Sequence, residues 1–309
     1  MDTFIQQLIN GLVLGSMYAL IALGYTMVYG VLNLINFAHG EILMIGAMVG
    51  LTIITFLDTV APELPGMVQL LIAILGAIPI CMLVSVIIER VAYRRLRNAP
   101  RLAPLTTAIG VSILLQTLAM MIWGRSPISF PQVLSSEPIA IGGAVISPTQ
   151  VTLLVMAALA MIGLFLLVEK TKLGRAMRAT AENPRIAGLM GVDTNKVIVA
   201  TFAIGAALAA IAGVMWGASY SSAQFAMGFV PGLKAFSAAV LGGIGNIYGA
   251  MIGGILLGLI ESFGAGYIGD LTDGMFGSNY QDIFAFLVLI IVLTVRPSGI
   301  MGERVADRA

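Results

Sequence analysis

One polar stretch, residues 33–41, holds the side chains of this chain that are best suited to chemistry. It carries two asparagines, Asn33 and Asn36, the only histidine, His39, and the carboxylate of Glu41. A carboxylate near the middle of a bilayer costs roughly 2.5–3.5 kcal/mol on insertion scales, so Glu41 at that depth requires a partner or a function. If the stretch is helical, Asn33 and Asn36 share one face. The alternative is a hydrated loop at the membrane interface, and hydropathy alone does not decide between the two.

A second polar stretch, residues 169–196, is the longest interruption of an otherwise apolar sequence. Basic residues outnumber acids within it, and a basic segment of this kind faces the cytoplasm. The simplest interpretation is a solvated loop that only sets the topology. Its charged residues are Lys170, Lys172, Arg175, Arg178, Arg185 and Lys196 against Glu169, Glu182 and Asp193.

Capping residues predict a short helix over residues 184–190 of this loop. Asn183 suits the N-cap, Pro184 suits the first helical position, and Gly191 suits the left-handed residue that ends a helix. These residues indicate a folded element, and the solvated loop that only sets the topology stays open as the alternative.

The predicted short helix carries three apolar side chains, Ile186, Leu189 and Met190. A helix of fewer than three turns is not stable alone, so it requires something to pack against. A partner protein on the cytoplasmic face is the natural candidate. Asp193 or Thr194 can then cap the membrane-crossing helix that follows.

The composition places the chain among all-α, polytopic membrane proteins. With 59% hydrophobic and 10% charged residues and a mean hydropathy of +1.01, the chain cannot hide its apolar surface in a soluble globule. Most of that surface is expected to contact membrane lipid. The basic residues are confined to short loops, so no nucleic-acid-binding face is expected. The single cysteine, Cys81, excludes an internal disulfide framework.

The sequence contains no constellation typical of an enzyme. It has no GxxxxGK[ST] phosphate loop, no nucleophile with a histidine partner and no metal-ligand spacing. We therefore expect no enzymatic activity and no cofactor in this chain, and any energy source must lie on another protein.

The apolar runs predict one transmembrane domain, residues 1–309, with residues 169–196 as a cytoplasmic loop. The bundle has eight transmembrane helices if one broken segment is re-entrant, or nine if none is. Residues 235–263 form a run that is too long for one straight helix, and glycines and Asn246 divide it into a short and a longer segment. A helix broken at membrane depth is tolerated only where it is buried in protein or lines a cavity. Candidates for a translocation pathway are therefore Asn33, Asn36, His39, Glu41, Gly243 and Asn246.

The distribution of Arg and Lys predicts which loops face the cytoplasm. Residues 89–101 and 169–196 are both basic, so both are expected there. Arg304 and Arg308 indicate that the C-terminus is also cytoplasmic. The N-terminus carries no Lys or Arg that decides its side. Glu261 lies in an apolar run and is expected to reach the interface from the end of its segment.

Three segments carry the most distinctive sequence of the chain. They are GLVLGSMYALIALGYTMVYGVLNLINFAHGEILMIGA at residues 11–47, GRAMRATAENPRIAGLMGVD at residues 174–193 and RPSGIMG at residues 296–302. Together they resemble the permease subunit of bacterial branched-chain amino-acid ABC importers, the LivH type, over nearly the full chain. The resemblance implies a multi-pass protein of the inner membrane that forms half of a translocation pathway.

The same resemblance implies partners. They are a second, LivM-type permease, two cytoplasmic ATP-binding subunits that hydrolyse ATP, and a periplasmic binding protein that delivers leucine, isoleucine or valine. It also implies that the short helix couples to an ATPase through residues Pro184, Ile186, Ala187, Leu189, Met190 and Gly191.

The coupling motif of ABC importers, EAA followed by three residues and Gly, is only partly present. Ala187 and Gly191 fall on its second Ala and its Gly, whereas Arg185 and Ile186 replace its Glu and first Ala. The downstream Pro is missing. The partial match therefore supports the position of the coupling helix, but it does not identify the side chain that contacts the ATPase.

Other functions remain open at the level of sequence. Related permeases carry urea, short amides or other amino acids. A secondary transporter in which His39 and Glu41 relay protons belongs to another class. A structural scaffold without transport is a third alternative.

Overall fold

The computed structural model describes residues 2–97, 99–100, 102–134, 137–141, 143–272, 280–296 and 298–302. Within these ranges the chain is a bundle of helices with two small antiparallel sheets. The helices are α1 (Asp2–Leu32), α2 (His39–Val60), α3 (Gly66–Ile88), α4 (Arg94–Leu96), α5 (Leu102–Trp123), α6 (Pro148–Lys170), α7 (Lys172–Glu182), α8 (Pro184–Leu189), α9 (Thr194–Tyr220), α10 (Phe229–Gly242), α11 (Ile247–Leu271) and α12 (Gln281–Val295).

Helix α1 forms the centre of the bundle and α5 lies at its periphery. In α1, 89% of the most apolar window is buried inside the chain, against 22% in α5. Gly15 of α1 and Gly258 of α11 approach so closely that a Cβ on Gly258 would overlap the Gly15 backbone. In a bilayer, such small-residue contacts let helix backbones pack closely. Most of the surface of α5 is left uncovered by the rest of the chain.

Two short strand pairs lie at one end of the bundle. Strand β1 (Ile128–Ser129) pairs with β4 (Ser222–Ala223), and β2 (Ile139–Ile141) pairs with β3 (Ala144–Ile146). At the other end, α3 continues through a π-helical turn, Glu89–Tyr93, into α4. Such turns inside helices are frequent at functional sites.

The structure confirms a polytopic helical bundle. Within the described residues, seven helices are long and apolar enough to cross a membrane, and α10 and α12 are shorter apolar helices. The eight or nine crossings expected from the sequence require one or both of these shorter helices to cross as well.

The interruption expected in residues 235–263 is present, because α10 ends at Gly242 and α11 begins at Ile247. The start of α10 differs from the expectation, since the helix begins at Phe229 and includes Lys234. With 14 residues, α10 spans about 21 Å, less than the roughly 30 Å of a bilayer core. Its length suits a re-entrant helix.

Candidate functional site

The polar stretch between α1 and α2 is not helical at its start. Residues 34–36 have no regular structure, and α2 begins only at His39. Asn33 has a left-handed backbone with φ of 53°, a conformation that asparagine adopts more readily than most residues. The condition under which Asn33 and Asn36 would share a helix face is therefore not met. Asn33 is exposed, whereas Asn36, His39 and Glu41 are buried.

Asn36 fixes this linker against the π-helical turn. Its Oδ1 accepts a hydrogen bond from the Tyr93 hydroxyl at 2.8 Å and another from the Ala38 backbone N–H at 3.1 Å. Both Asn36 and Tyr93 are buried. Because the buried amide oxygen of Asn36 accepts two hydrogen bonds, Asn36 has a structural role in holding the linker in place.

His39 lies deep in the bundle, packed edge-on against the Tyr25 ring with centroids 4.9 Å apart. Room for the imidazole comes from Gly24, where a Cβ would overlap the ring. Its Nε2 has no hydrogen-bond partner among the described residues. The ring is thus packed mainly by contact with apolar and aromatic groups.

Glu41, in the first turn of α2, is held by two side chains of α5. Its Oε1 accepts from Ser112 Oγ at 3.0 Å and from Gln116 Nε2 at 2.7 Å. Its Oε2 has no partner within the described part of the chain, although Glu41 is only 1% exposed. Sequence reasoning missed Ser112 and Gln116, whose four-residue spacing in an apolar helix was a usable signal.

The broken helix is shaped by two glycines and a capping asparagine. Gly243 and Gly245 have positive φ angles of 108° and 98°, which favour glycine. Asn246 accepts from the Gly249 backbone N–H at 3.1 Å and so caps α11. Its Nδ2 donates to the carbonyl of Met301 at 2.9 Å. The C-terminal segment is thereby held against the break.

A cavity of about 1100 Å³ lies beside this break. Asn33 and Asn246 both line it, together with Glu169 and Arg178 of the basic stretch. The remaining pathway candidates, namely Asn36, His39, Glu41 and Gly243, are not among its lining residues. The structure thus divides the predicted pathway residues between this cavity and the buried interior.

The short helix predicted in the basic stretch is present as α8. Asn183 accepts from the backbone N–H groups of Arg185 and Ile186, at 3.0 and 3.1 Å, and so caps the helix. Gly191 is left-handed, with φ of 85°. The Val192 backbone N–H donates to the Ala187 carbonyl at 3.0 Å, which completes a helix-ending motif. The capping predictions are confirmed.

Three apolar side chains of this region point away from the bundle. Ile186 is 58% exposed, Leu189 is 88% exposed and Met190 is 80% exposed, while Ala187 is buried against the chain. Pro184 and Gly191 bound this surface and are exposed as well.

The helix that follows is capped by Asp193, as expected. Asp193 Oδ1 accepts from the Lys196 backbone N–H at 3.2 Å. This hydrogen bond, with the nearby Lys196 ammonium, lowers the pKa of the Asp193 carboxyl. The cap is therefore ionised at neutral pH.

A buried ionic cluster joins α10, α11 and α12. Lys234 Nζ lies 3.0 Å from Glu261 Oε1 and 2.5 Å from Asp282 Oδ1. The Tyr18 hydroxyl donates to Glu261 Oε2 at 2.8 Å. Glu261 does not reach the interface as expected, since it is 0% exposed and paired with Lys234. This cluster could not be predicted from the sequence, because its members, Tyr18, Lys234, Glu261 and Asp282, lie on four separate helices.

Among the described residues, no group of three or more His, Cys, Asp or Glu side chains is arranged to hold a metal ion. The polar groups assembled here can donate and accept hydrogen bonds, and they present buried charge.

Over residues 7–293 the chain matches the family model for the branched-chain amino acid transport system permease component. It is 45% identical over 304 residues to the high-affinity branched-chain amino acid transport system permease protein BraD of Pseudomonas aeruginosa, covering 97% of this chain and 96% of that protein. It is 43% identical over 305 residues to the permease protein LivH of Escherichia coli K12, with the same coverage. Similarity extends to the ribose import permease protein RbsC of Escherichia coli K12, at 26% identity over 301 residues, covering 94% of this chain and 85% of that protein. No solved structure matches the chain. The chain therefore belongs to the family of branched-chain amino acid transport system permease components.

Proposed function

We propose that this protein is a membrane permease that forms half of an ATP-driven importer for leucine, isoleucine and valine. The full-length similarity to permeases named for branched-chain amino acids supports this substrate class. The proposal includes a second, LivM-type permease, two cytoplasmic ATP-binding subunits and a periplasmic binding protein. ATP is hydrolysed on the ATP-binding subunits, because this sequence contains no phosphate-binding loop.

The observation that carries this proposal is the exposed apolar surface of the coupling region, residues 184–191. A short helix with well-formed caps presents Ile186, Leu189 and Met190 to solvent. Contiguous exposed apolar side chains on a rigid element mark interaction sites. This surface docks onto an ATP-binding subunit and transmits its movement to the bundle.

Orientation follows from the two basic loops. Arg97 donates to Asn195 Oδ1 at 2.6 Å, so residues 89–101 and 169–196 meet at one end of the bundle. At the other end, Gln6 of α1 accepts from the Val145 backbone N–H at 2.8 Å. By the positive-inside rule the basic end faces the cytoplasm.

We infer a multi-pass protein of the bacterial inner membrane, surrounded by lipid, with a cytoplasmic C-terminus. Arg304 and Arg308, which favour this side, lie outside the described residues. The segment before them supports it, because Ile300 and Met301 donate backbone hydrogen bonds to Leu241 and Gly242 at the cytoplasmic end of α10.

Tight recognition of the substrate belongs to the delivering protein, because a strong site inside the pathway would trap its cargo. This subunit contributes weak contacts, with Asn33 and Asn246 at the cytoplasmic cavity and Asn36, His39 and Glu41 further inside. The backbone at the helix break around Gly243 is the last candidate of the pathway. The proton-relay alternative gains no support, since His39 and Glu41 share no hydrogen bond within the described chain.

The proposal is tested by purifying the chain in mild detergent and identifying the proteins that accompany it. Two ATP-binding subunits and a second permease should co-purify with the chain. The complex is then reconstituted in vesicles with ATP supplied and the proton gradient collapsed. Leucine uptake should persist, with urea and short amides failing to compete. Uptake that ceases under these conditions would contradict an ATP-driven mechanism.

A further inference from the structure

A groove between α5 and α10 lies about midway along α5 and is not explained by packing or by ATPase docking. Its volume is about 690 Å³, within the range of small-molecule sites. Ser112, close to the middle of α5, and Phe229, at the start of α10, both line it. The groove therefore lies at mid-membrane depth if α5 crosses the bilayer.

The walls of the groove are mainly aliphatic and aromatic. Three apolar side chains of α5 line the groove, and three more come from the first five residues of α10. These walls suit a branched aliphatic side chain by burial of apolar surface. The residues are Leu105, Ile109 and Ile113 of α5, and Phe229, Val230 and Leu233 of α10.

A buried carboxylate, Glu41, lies behind one side of the groove and is not itself one of its lining residues. Gln116 and Ser112 line the groove, and both donate to Oε1 of Glu41. Because the Gln116 amide N–H₂ is turned to the carboxylate, its carbonyl oxygen is left as an acceptor. The second oxygen of Glu41 has no partner in the described residues. A buried carboxylate behind an amide carbonyl attracts a cationic donor such as an ammonium group.

The opposite polarity is supplied by the start of α10. Helix N-termini attract anions through the macrodipole and free backbone N–H groups. The N-cap of α10, Gly228, provides no side-chain cap. The Phe229 N–H donates to the Ala226 carbonyl and Pro231 has no N–H, so the Val230 N–H is the free donor of the first turn, and Val230 lines the groove. The start of α2 packs against the start of α10 at Gly40. The first turn of α2 already contains the carboxylate of Glu41, which would repel a second carboxylate. The positive end of α10 is thus the one available for a carboxylate.

We propose that this groove is a transient binding site for a zwitterionic α-amino acid with an aliphatic side chain. The ammonium group meets the Gln116 carbonyl, with the Glu41 carboxylate behind it, and the ligand carboxylate accepts from the Val230 N–H at the start of α10. The side chain lies on the apolar walls. Half-helices that begin at mid-membrane depth provide carboxylate sites of this kind in transporters. The choice of amino acid rests on the proposed function, whereas the site itself rests on the groove.

The test uses cysteine protection in the complete complex, held in lipid nanodiscs without ATP. Ile113→Cys is made in a Cys81→Ala background and labelled with a small membrane-permeant thiol reagent. The matched control is Leu114→Cys, the neighbouring exposed residue, which does not line the groove. Leucine should slow labelling of Ile113→Cys at least tenfold and leave Leu114→Cys unchanged. Isoamylamine, which lacks the carboxylate, and 4-methylpentanoate, which lacks the ammonium, should each protect much less.

Two further variants test the polar ends. Glu41→Gln keeps an acceptor for Ser112 and Gln116 but removes the charge, and it should raise the leucine concentration for half-protection roughly tenfold or more. Gln116→Leu should have a similar effect without touching the start of α2. If leucine protects the cysteine equally well in the Glu41→Gln variant and in the parent protein, the carboxylate does not contribute to binding.

Other outcomes overturn the site. Equal protection at both cysteines, or none at either, would mean that leucine does not occupy the groove. If Ile113→Cys is labelled in the isolated chain but not in the complex, the second permease covers the groove instead. Because labelling needs no ATP, protection without ATP-driven uptake would contradict the proposed function alone, and uptake without protection would contradict the groove alone.

Discussion

Lys234 of α10 and Glu261 of α11 form a buried ion pair, with Nζ 3.0 Å from Oε1 and with relative side-chain exposures of 6% and 0%. A second carboxylate, Asp282 of α12, also contacts the ammonium group. Because charges inside a membrane protein are costly unless paired, this contact ties the short helix α10 to its neighbours. The cluster fixes the position of the helix whose first turn lines the α5–α10 groove.

Lys234→Met should destabilise the protein by about 3–5 kcal/mol, because it leaves Glu261 as a buried carboxylate without its cation. The double variant Lys234→Met with Glu261→Met should recover most of that loss. Lys196→Met is the control, since its ion pair with Asp193 is exposed and contributes little to stability. Thermal unfolding in detergent measures all three variants. A double variant as unstable as the single one would show that the lost charge pair is not the cause.

Leu189→Asp should prevent docking of the ATP-binding subunit, because it places an unpaired charge in an apolar contact. A loss of about 2–4 kcal/mol of binding is expected for a central apolar residue. Membrane insertion should be unchanged, since Leu189 is 88% exposed outside the spanning helices. Leu189→Met keeps the apolar surface and is the control. Co-purification and transport-stimulated ATP hydrolysis are the measurements, and normal hydrolysis in Leu189→Asp would exclude this helix as the coupling element.

The two basic loops should be accessible from the cytoplasm only. Arg95 and Glu182 are both exposed, so cysteines there can react with an impermeant thiol reagent, and the native Cys81 is buried. Arg95→Cys and Glu182→Cys should be labelled in inverted vesicles and not in intact cells. Labelling of either from outside would reverse the proposed orientation.

The hydroxyl of Tyr93 and the amide of Asn36 should be energetically coupled. Asn36→Leu leaves the buried Tyr93 hydroxyl without its acceptor, which costs about 1–3 kcal/mol of stability. Adding Tyr93→Phe should remove part of that cost, because both polar groups are then gone. In the reconstituted complex, Asn36→Leu should lower the maximal uptake rate and leave the apparent affinity, set by the delivering protein, nearly unchanged. Additive effects of the two substitutions on stability would mean that the hydrogen bond carries no net energy.

Local signals allowed parts of this structure to be predicted from the sequence. The caps of α8 were predictable because Asn183, Pro184 and Gly191 act within one or two turns of their own backbone. The break before Asn246 was predictable for the same reason, since glycine and a capping side chain are sufficient to end one helix and start the next. The helical class followed from composition, because a chain this apolar must satisfy its backbone within helices.

Contacts between distant helices were not predictable. Residues 33–38 were compatible with a helix, and only the packing of Asn36 on Tyr93 and of His39 on Gly24 shows why the chain leaves helical geometry there. The pairing of Lys234 with Glu261 joins separate helices. A single sequence places each charge in an apolar run but does not say which runs are neighbours.

A packing role and a proton-transfer role for His39 predict opposite effects of replacing the imidazole with a side chain that cannot be protonated. The ring is buried against Tyr25 and Gly24, and its Nε2 has no partner among the described residues. Glutamine has a similar reach and can hydrogen-bond, but it cannot exchange a proton near neutral pH. His39→Gln should therefore retain ATP-driven leucine uptake, with a modest loss of stability from poorer packing. The measurement is uptake in vesicles with ATP supplied and the proton gradient collapsed, with Asn36→Leu assayed beside it. Complete loss of uptake in His39→Gln, in a complex that still assembles and hydrolyses ATP, would show that the histidine carries protons and would overturn the packing role assigned to it.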